Sequence, residues 1–333
     1  MYLCLEELSG KRCIAFGAGN ALKGLLAVQA MPFEYIVDDT PALAGSRLGG
    51  LEIHPSARLL GEDRDRLLIL ICANTSSGVL AIMRRLVSMG FEPGRHFLDC
   101  SHFQVRTMAE RLATHFGLNP DPGRIDRVRA LSLGLRARNL STIAGTWLFV
   151  ELLDGVPQAP LGAIAECGVY QGANALVSCG VSNTLGKRPY FLYDSFEGLA
   201  DFSASDPTSR VGEFADVDLK ELRTVFASLQ NVHLVEGRFE STLSLQPPDQ
   251  HALVYVDCDL KEPTRFCCEH FWDLLVPGGF LMTHDYWYPT GAEGGPAHFT
   301  GVREAFDSFC VSRGVTPVVF PETSHAVIRK PGN

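Results

Sequence analysis

The sequence lacks the features that mark three large classes of protein. None of its apolar runs approaches the roughly 20 residues that a membrane span needs, so we expect no span. Its ten cysteines include no C-x-x-C pair, which disfavours a zinc knuckle or a disulfide framework and favours reduced thiols in a cytoplasm. Basic residues are scattered and the formal net charge is −9, so we expect no nucleic-acid partner.

What remains is a composition typical of globular proteins. Of the 333 residues, 46% are hydrophobic and 20% are charged, and no low-complexity tract interrupts them. A chain of this length predicts about two domains. The first residues, Met-Tyr-Leu-Cys-Leu-Glu-Glu, are acidic and do not have the shape of a signal peptide, so we expect a cytoplasmic protein.

The first hundred residues predict a β-α-β arrangement. Strands are expected at residues 11–16, 34–37, 67–72 and 96–99, and helices at residues 21–30 and 79–89. The glycines after the first strand follow the pattern G-x-G-x-x-x-x-G, in which the third glycine comes later than in the usual dinucleotide-binding turn. Two interpretations stay open. One is a nucleotide or nucleotide-sugar site at Gly17, Gly19 and Asp38, and the other is an auxiliary domain that docks a partner or a second subunit.

Three helices are expected next, at residues 104–116, 125–138 and 146–153, with a breaker, G-L-N-P-D-P-G, after the first of them. We therefore predict a Rossmann-like auxiliary domain at residues 1–105, a helical linker at residues 106–140 and a second domain at residues 141–333.

The second domain alternates strands and helices. Strands are expected at residues 163–166, 190–193, 232–235, 253–256 and 280–283, followed by a terminal antiparallel pair at residues 316–320 and 326–329. Such alternation predicts a mostly parallel sheet. The fold class is therefore α/β with two Rossmann-like domains. Because ligands of such sheets bind beyond the carboxyl ends of the strands, the polar clusters found there predict one site.

The turn A-E-C-G-V-Y-Q-G after the first of these strands narrows the ligand. Glycines let a ligand approach the backbone closely, and Glu166 offers a carboxylate. Without a third glycine leading into the helix, the turn suits a ligand that has no phosphates. Asp194, at the end of the next strand, is placed to hold both hydroxyls of a ribose. Together these residues predict S-adenosylmethionine, although Asp194 also fits the N-cap of the next helix.

Several ordered motifs resemble the macrocin O-methyltransferase family. They are A-E-C-G-V-Y-Q-G, Y-D-S-F-E-G-L, V-E-G-R-F-E-S-T-L, V-D-C-D-L-K-E-P-T, P-G-G-F-L-M-T-H-D-Y and G-V-R-E-A-F-D-S-F, and they lie in residues 141–333. The resemblance implies a class I methyltransferase sheet and transfer of a methyl group from S-adenosyl-L-methionine, usually with Mg²⁺, to a sugar hydroxyl. The implied acceptor is a glycosylated natural product or a surface polysaccharide. The resemblance does not extend to residues 1–105.

The resemblance also implies roles for particular residues. Asp257, His284 and Asp285 correspond to the ligands of the divalent metal. His284 stands where the family has an aspartate, and imidazole prefers softer metals than Mg²⁺. The implied cofactor contacts are Thr142, Glu166, Gly168, Tyr170, Gly172, Asp194, Ser195, Gly237, Arg238, Phe239 and Asp257.

Methyl transfer requires the enzyme to position the acceptor hydroxyl and to remove its proton. Asp257 and His284 end adjacent predicted strands, about 5 Å apart at the backbone, so both can face one oxygen. We favour Asp257 as metal ligand and base. His284 is the rival base, because imidazole titrates near neutral pH, but it also fits a buried or capping role. Asp259 is open to two interpretations, a site residue or the start of the next helix.

The polar segment Leu199–Val217 is a candidate lid, and the Gly/Pro-rich segment Tyr286–Gly301, with its aromatics, is a candidate wall against the sugar ring; each is equally typical of ordinary surface. Two other functions stay open. One is a nicotinamide-dependent oxidoreductase that uses the first domain, and the other is a non-catalytic protein that binds sugar nucleotides or acts as a scaffold. A homo-oligomer is compatible with any of them.

Overall fold

The computed structural model describes residues 10–28, 31–73, 75–135, 141–158, 161–200, 202–206, 210–243, 250–287 and 299–332. Two β-sheets lie within these residues. The chain divides into two compact units, each built around one sheet. The first unit comprises Met1–Arg111, Asp121–Trp147 and Pro321–Thr323, and the second comprises Leu112–Pro120, Leu148–Phe320 and Ser324–Asn333.

The first unit contains a six-stranded sheet. Its strands are β1 (Arg12–Phe16), β2 (Phe33–Val37), β3 (Arg47–Leu48), β4 (Leu51–His54), β5 (Leu67–Ile71) and β6 (Phe97–Asp99), in the spatial order β3-β4-β2-β1-β5-β6. Among the described strands of this sheet, only the β3–β4 pair is antiparallel. All five residues of β5 are buried, as expected of a parallel strand covered on both faces. The helices α1 (Asn20–Val28) and α2 (Ser76–Ser88) follow β1 and β5.

Three helices follow β6 along the chain. They are α3 (Ser101–Phe116), α4 (Ile125–Gly134) and α5 (Ile143–Asp154). The boundary between the compact units passes through α3 and α5. Of the predicted linker, residues 106–111 and 121–140 fall in the first unit and residues 112–120 in the second. No described helix is long and apolar enough to cross a membrane.

The second unit contains a seven-stranded sheet in the order β12-β13-β11-β10-β7-β8-β9. Strands β7 to β11 are parallel, and β13 is antiparallel to both of its neighbours. This arrangement confirms the predicted fold class. The strands are β7 (Ala163–Cys167), β8 (Tyr190–Asp194), β9 (Val232–Glu236), β10 (His251–Val256), β11 (Leu275–Thr283), β12 (Val318–Phe320) and β13 (His325–Arg329); the helices between them are α6 (Ala173–Val181), α7 (Leu219–Ala227), α8 (Phe239–Thr242), α9 (Lys261–Leu274) and α10 (Thr300–Arg313).

The centre of the second sheet is buried and mostly apolar. Every residue of β7 and of β10 is buried, and the side chains of Phe271, Phe280 and Phe306 pack around them at 1% exposure or less. By contrast, the edge strand β9 is half exposed. A rigid, buried centre fixes the positions of the residues that follow β7 and β10, which is where the site lies.

Two features differ from the sequence-based expectation. The pair β3–β4 was not expected, because strands of two and four residues beside Gly49-Gly50 carry too little alternation to detect. Strand β11 begins at Leu275 and not near residue 280, although it contains Pro277-Gly278-Gly279, a sequence that predicts a turn. The register against β10 shifts there, so an irregularity in the ladder absorbs these residues.

Candidate active site

Strand register brings the predicted site residues of the second unit to one edge of its sheet. Val256 of β10 is aligned with Cys167 of β7 on one side and with Thr283 of β11 on the other. The residues that follow these strand ends, Gly168, Asp257 and His284, therefore lie side by side. The predicted adjacency of Asp257 and His284 is confirmed.

The turn after β7 depends on glycine at two positions. Gly168 has a φ of 91°, and a Cβ there would overlap the carbonyl oxygen of Asp257. Gly172, at the N-cap of α6, has a φ of 73°, and a Cβ there would lie 2.7 Å from the ring of Phe226. Tyr170 between them is also left-handed, with a φ of 50°. The first glycine thus lets the turn pack directly against the backbone of Asp257.

Asp194 holds this turn in place. Its Oδ2 accepts hydrogen bonds from the backbone N–H groups of Val169 at 2.7 Å and Tyr170 at 2.9 Å, and its Oδ1 accepts one from Phe196 at 2.8 Å. The alternative interpretation of Asp194 as a helix N-cap is wrong, because the next α-helix among the described residues, α7, is capped by Asp218. A carboxylate has about four lone-pair sites, so three backbone donors leave capacity for a ribose hydroxyl.

Glu166 is a buried acid beneath the turn, at 2% exposure. Its Oε2 accepts hydrogen bonds from the hydroxyl of Tyr190 and, at 3.3 Å, from Nδ2 of Asn174. Burial raises the pKa of Glu166 to about 8, despite these two donors. A positive charge nearby would stabilise the ionised form of this carboxyl group. The sulfonium and ammonium groups of S-adenosylmethionine carry such a charge.

The remaining predicted cofactor contacts fall into two places. Gly237 donates its N–H to the carbonyl oxygen of Asp194 at 2.9 Å, and Ser195 Oγ accepts from the N–H of Glu197 at 3.2 Å. Arg238 and Phe239 begin α8, so these residues also follow strand ends of the second sheet. Thr142 belongs to the first unit, where its Oγ1 caps α5 by accepting from Gly145 at 2.8 Å. Their cofactor roles stay predictions.

The predicted metal ligands form one cluster. His284 Nδ1 lies 3.1 Å from Asp257 Oδ1 and 3.4 Å from Asp285 Oδ2, and the three side chains are 13% to 20% exposed. Burial alone would lower the pKa of His284, but the carboxylates of Asp285 and Asp257 outweigh it and raise that pKa well above the ordinary value. The carboxylates of the cluster therefore favour a positive charge beside them.

Asp259 is a fourth member of this cluster. It does not start the next helix, because α9 begins at Lys261 after an N-cap at Leu260. Its backbone is left-handed, with a φ of 61°, and its side chain hydrogen-bonds Asp285. Burial, and then the charges of Asp285 and Asp257, raise the pKa of Asp259 well above its ordinary value. The D-x-D spacing was the available sequence signal, but it did not distinguish a site residue from a helix start.

The donor set fits a divalent cation. One ligand atom from each of Asp257, His284 and Asp285 lies within 4.8 Å of the others, which is compatible with a single ion between them. Carboxylate oxygens suit Mg²⁺ and Mn²⁺, whereas the imidazole shifts the preference towards Mn²⁺, Co²⁺ or Zn²⁺.

The predicted lid segment contacts the turn after β7. The hydroxyl of Tyr170 donates to Asp216 Oδ1 at 2.7 Å, and Gln171 Nε2 donates to the carbonyl oxygen of Asp216 at 3.0 Å. Asp206, at 7% exposure, accepts the N–H of Lys261 at the start of α9 at 3.0 Å. Residues 201 and 207–209 lie outside the described residues, as do residues 288–298 of the second predicted segment. The lid interpretation therefore stays a prediction.

The first unit carries a turn of the same construction. Gly17 has a φ of 110°, and a Cβ there would overlap the carbonyl oxygen of Cys72, which follows β5. Asp38 accepts hydrogen bonds from the N–H groups of Ala18 and Thr40, both at 2.8 Å. A Cβ at Gly19 would meet nothing within 4 Å. Nucleotide binding by this turn stays a prediction, and so does a nicotinamide-dependent reaction in this unit.

Comparison with known proteins bears on the second unit. Residues 151–317, half of the chain, match the model of the family described as macrocin-O-methyltransferase (TylF). The chain is 32% identical over 148 residues to the 8-demethyl-8-(2,3-dimethoxy-alpha-L-rhamnosyl)-tetracenomycin-C 4'-O-methyltransferase of Streptomyces olivaceus, covering 40% of this chain and 55% of that protein. It is 26% identical over 157 residues to the mycinamicin III 3''-O-methyltransferase of Micromonospora griseorubida, covering 43% of this chain and 60% of that protein. The matches thus span little more than half the length of these curated relatives.

A solved structure, that of the O-methyltransferase NovP, resembles the chain at 19% sequence identity and a TM-score of 0.48. The likeness covers 69% of this chain and 99% of that one. A likeness at this level says nothing about function.

Proposed function

The chain belongs to the macrocin O-methyltransferase family, and from this premise we propose that it transfers the methyl group of S-adenosylmethionine to a hydroxyl of a sugar. The names of two relatives describe O-methylation of a rhamnosyl tetracenomycin and of mycinamicin III. We extend the class of acceptor to this chain, as a glycosylated natural product or a surface polysaccharide.

One observation carries the proposal. The glycine turn that suits the cofactor packs against the backbone of Asp257. Asp257 is the first residue of the acid cluster, which also contains Asp259, His284 and Asp285. A methyl donor and an acceptor hydroxyl must meet within about 3–3.5 Å for an in-line displacement. A cofactor turn in contact with the proton-accepting cluster supports such an arrangement.

The cofactor side of the site is formed by Glu166, Asp194 and the turn between β7 and α6. In this proposal Asp194 accepts hydrogen bonds from the ribose, while its backbone donors keep the carboxylate oriented. Glu166 supplies negative charge towards the cationic end of the cofactor. When bound, the cofactor supplies an activated methyl group.

The acceptor side is formed by Asp257, His284 and Asp285. A divalent cation held by these residues would polarise the acceptor hydroxyl and lower its pKa. Asp257 orients the hydroxyl and takes its proton. His284 is the rival base, but Asp285 and Asp257 raise its pKa well above the ordinary value, so the ring must lose a proton before it can accept one.

The proposal is tested by two measurements on the full chain. Calorimetry should detect binding of S-adenosylhomocysteine, the demethylated cofactor. Enzyme supplied with methyl-labelled cofactor and a panel of rhamnosylated compounds should label at least one of them, while the matching aglycones stay unlabelled. Absence of cofactor binding would refute methyl transfer, and labelling of aglycones alone would refute the sugar hydroxyl as the acceptor.

A further inference from the structure

Behind the acid cluster lie two buried side chains that neither the motifs nor the comparisons single out. Tyr255, on β10, is 1% exposed, and His325, on β13, is also 1% exposed. We propose that Tyr255 and His325 form a positioning pair that fixes the orientation of Asp257 and supports the ring of His284. The inference rests on the proposed function of the cluster.

Strand geometry explains how the pair reaches the cluster. Tyr255 and Asp257 are two residues apart on one chain, so their side chains leave the sheet on the same face. Thr283 of β11 is aligned with Ala326 of the antiparallel strand β13, which places His284 beside His325. The two imidazole rings accordingly lie 4.7 Å apart between centroids.

The hydrogen bonds of the pair have a definite direction. The hydroxyl of Tyr255 lies 2.9 Å from Asp257 Oδ2 and 3.2 Å from His325 Nε2. The hydroxyl donates its hydrogen to Asp257 Oδ2. The hydroxyl oxygen then accepts from Nε2–H of His325, which fixes the tautomer of that ring.

These hydrogen bonds restrict the rotation of the Asp257 carboxylate. The terminal torsion of an aspartate has a broad minimum, so an isolated Asp257 would sample many orientations. Tyr255 holds Oδ2, while Oδ1 faces His284 at 3.1 Å. Groups behind a metal ligand typically change metal affinity or activity about 10- to 100-fold when they are removed.

The first experiment uses Tyr255→Phe, which removes one hydroxyl and keeps the ring that packs at 5.5 Å against Phe149. Tyr35→Phe is the matched control, because the Tyr35 hydroxyl is a buried donor to a carboxylate, Glu62, of the first unit. We expect Tyr255→Phe to weaken Mn²⁺ binding in calorimetry and to lower kcat, each by at least about 10-fold. Affinity for S-adenosylhomocysteine and the KM for the methyl donor should stay within about twofold, and Tyr35→Phe should leave all four quantities within the same limit.

The second experiment tests His325 and the pairing itself. His325→Gln keeps an N–H donor and should retain most of the parent's metal affinity, whereas His325→Leu should resemble Tyr255→Phe. If the two residues act as one unit, the Tyr255→Phe/His325→Leu double variant should lose no more than the stronger single variant. Additive losses would contradict a pair.

The outcomes separate this inference from the proposed function. The positioning pair is overturned if Tyr255→Phe, folded as judged by its melting temperature, keeps both Mn²⁺ affinity and kcat within about twofold of the parent. If the parent binds no divalent metal and transfers methyl groups in chelator, the metal part of the proposed function is wrong. In that event the positioning role is judged by kcat alone: a Tyr255→Phe variant that keeps kcat within about twofold of the parent overturns it.

Discussion

The two units build the same backbone frame around their first parallel strand. In each, a left-handed glycine packs against a carbonyl oxygen after the neighbouring strand, Gly17 against Cys72 and Gly168 against Asp257. In each, an aspartate at or just after the end of the next strand accepts N–H groups of the turn. The frames differ in the side chains placed on them.

Two positions carry the difference. Two residues before the glycine stands Ala15 in the first unit and Glu166 in the second. After the strand on the other side stand Cys72 in the first unit and Asp257 in the second. The glycine turn and its aspartate are therefore a structural frame, and charge at the neighbouring strand ends makes the frame a candidate for methyl transfer.

The largest effect is expected from removing the charge of Asp257. Asp257→Asn keeps the shape of the side chain and should lower kcat about 1,000-fold, because the acceptor hydroxyl loses its proton acceptor and a metal ligand. Affinity for S-adenosylhomocysteine, measured by calorimetry, should change by less than about threefold. Cys72→Ala, at the corresponding position of the first unit, is the control and should leave kcat unchanged. Substantial activity in Asp257→Asn would remove the distinction between the two frames.

A smaller effect is expected at Glu166. Without ligand, burial raises its pKa to about 8, and a cationic cofactor favours the ionised form. Affinity for S-adenosylmethionine should therefore rise with pH up to about 8, by at most about tenfold per unit, and then level off. Glu166→Gln should bind about 10-fold more weakly above pH 8 and should lose this pH dependence. Equal slopes in calorimetric titrations of parent and variant would contradict the role of Glu166.

Acidification should lower the free energy of unfolding of the second unit through His251. His251 is fully buried on β10 without a described hydrogen-bond partner, and burial lowers its pKa to about 4. The unfolded chain binds a proton near pH 6.5 and the folded chain does not, so stability falls as pH decreases from 6.5 towards 4. Between pH 7 and pH 5, protonation linked to His251 lowers the free energy of unfolding by about 2 kcal/mol.

Urea unfolding of the parent and of His251→Leu at both pH values measures this loss of stability. The variant should lose less stability on acidification than the parent does. The same acid loss in His251→Leu as in the parent would contradict the assignment.

The smallest effect concerns the choice of metal. His284→Asp replaces an imidazole with an oxygen donor in a cluster of carboxylates, so the ratio of Mg²⁺ to Mn²⁺ affinity should rise, by about 10-fold at most. Competition calorimetry with the two ions measures that ratio. An unchanged ratio would show that His284 does not contact the ion.

The sequence predicts the frame better than it predicts the site. Parallel strands such as β5 and β10 are short buried apolar runs, and their ends are visible as the first polar residues after them. The sequence does not reveal that Asp194 is bonded to the backbone of the turn, since that contact depends on the register of β7 and β8. Nor does it reveal His325, because 70 residues separate it from Tyr255 and only the antiparallel return of β13 brings them together.

We infer that the frame of the second unit, and not that of the first, binds the methyl donor. The direct measurement is a calorimetric titration of S-adenosylhomocysteine into the parent, Asp194→Ala and Asp38→Ala, each confirmed as folded by its melting temperature. We predict one cofactor per chain, with affinity lowered at least about 30-fold in Asp194→Ala and unchanged in Asp38→Ala. Two cofactors per chain, or an equal loss in Asp38→Ala, would contradict the claim.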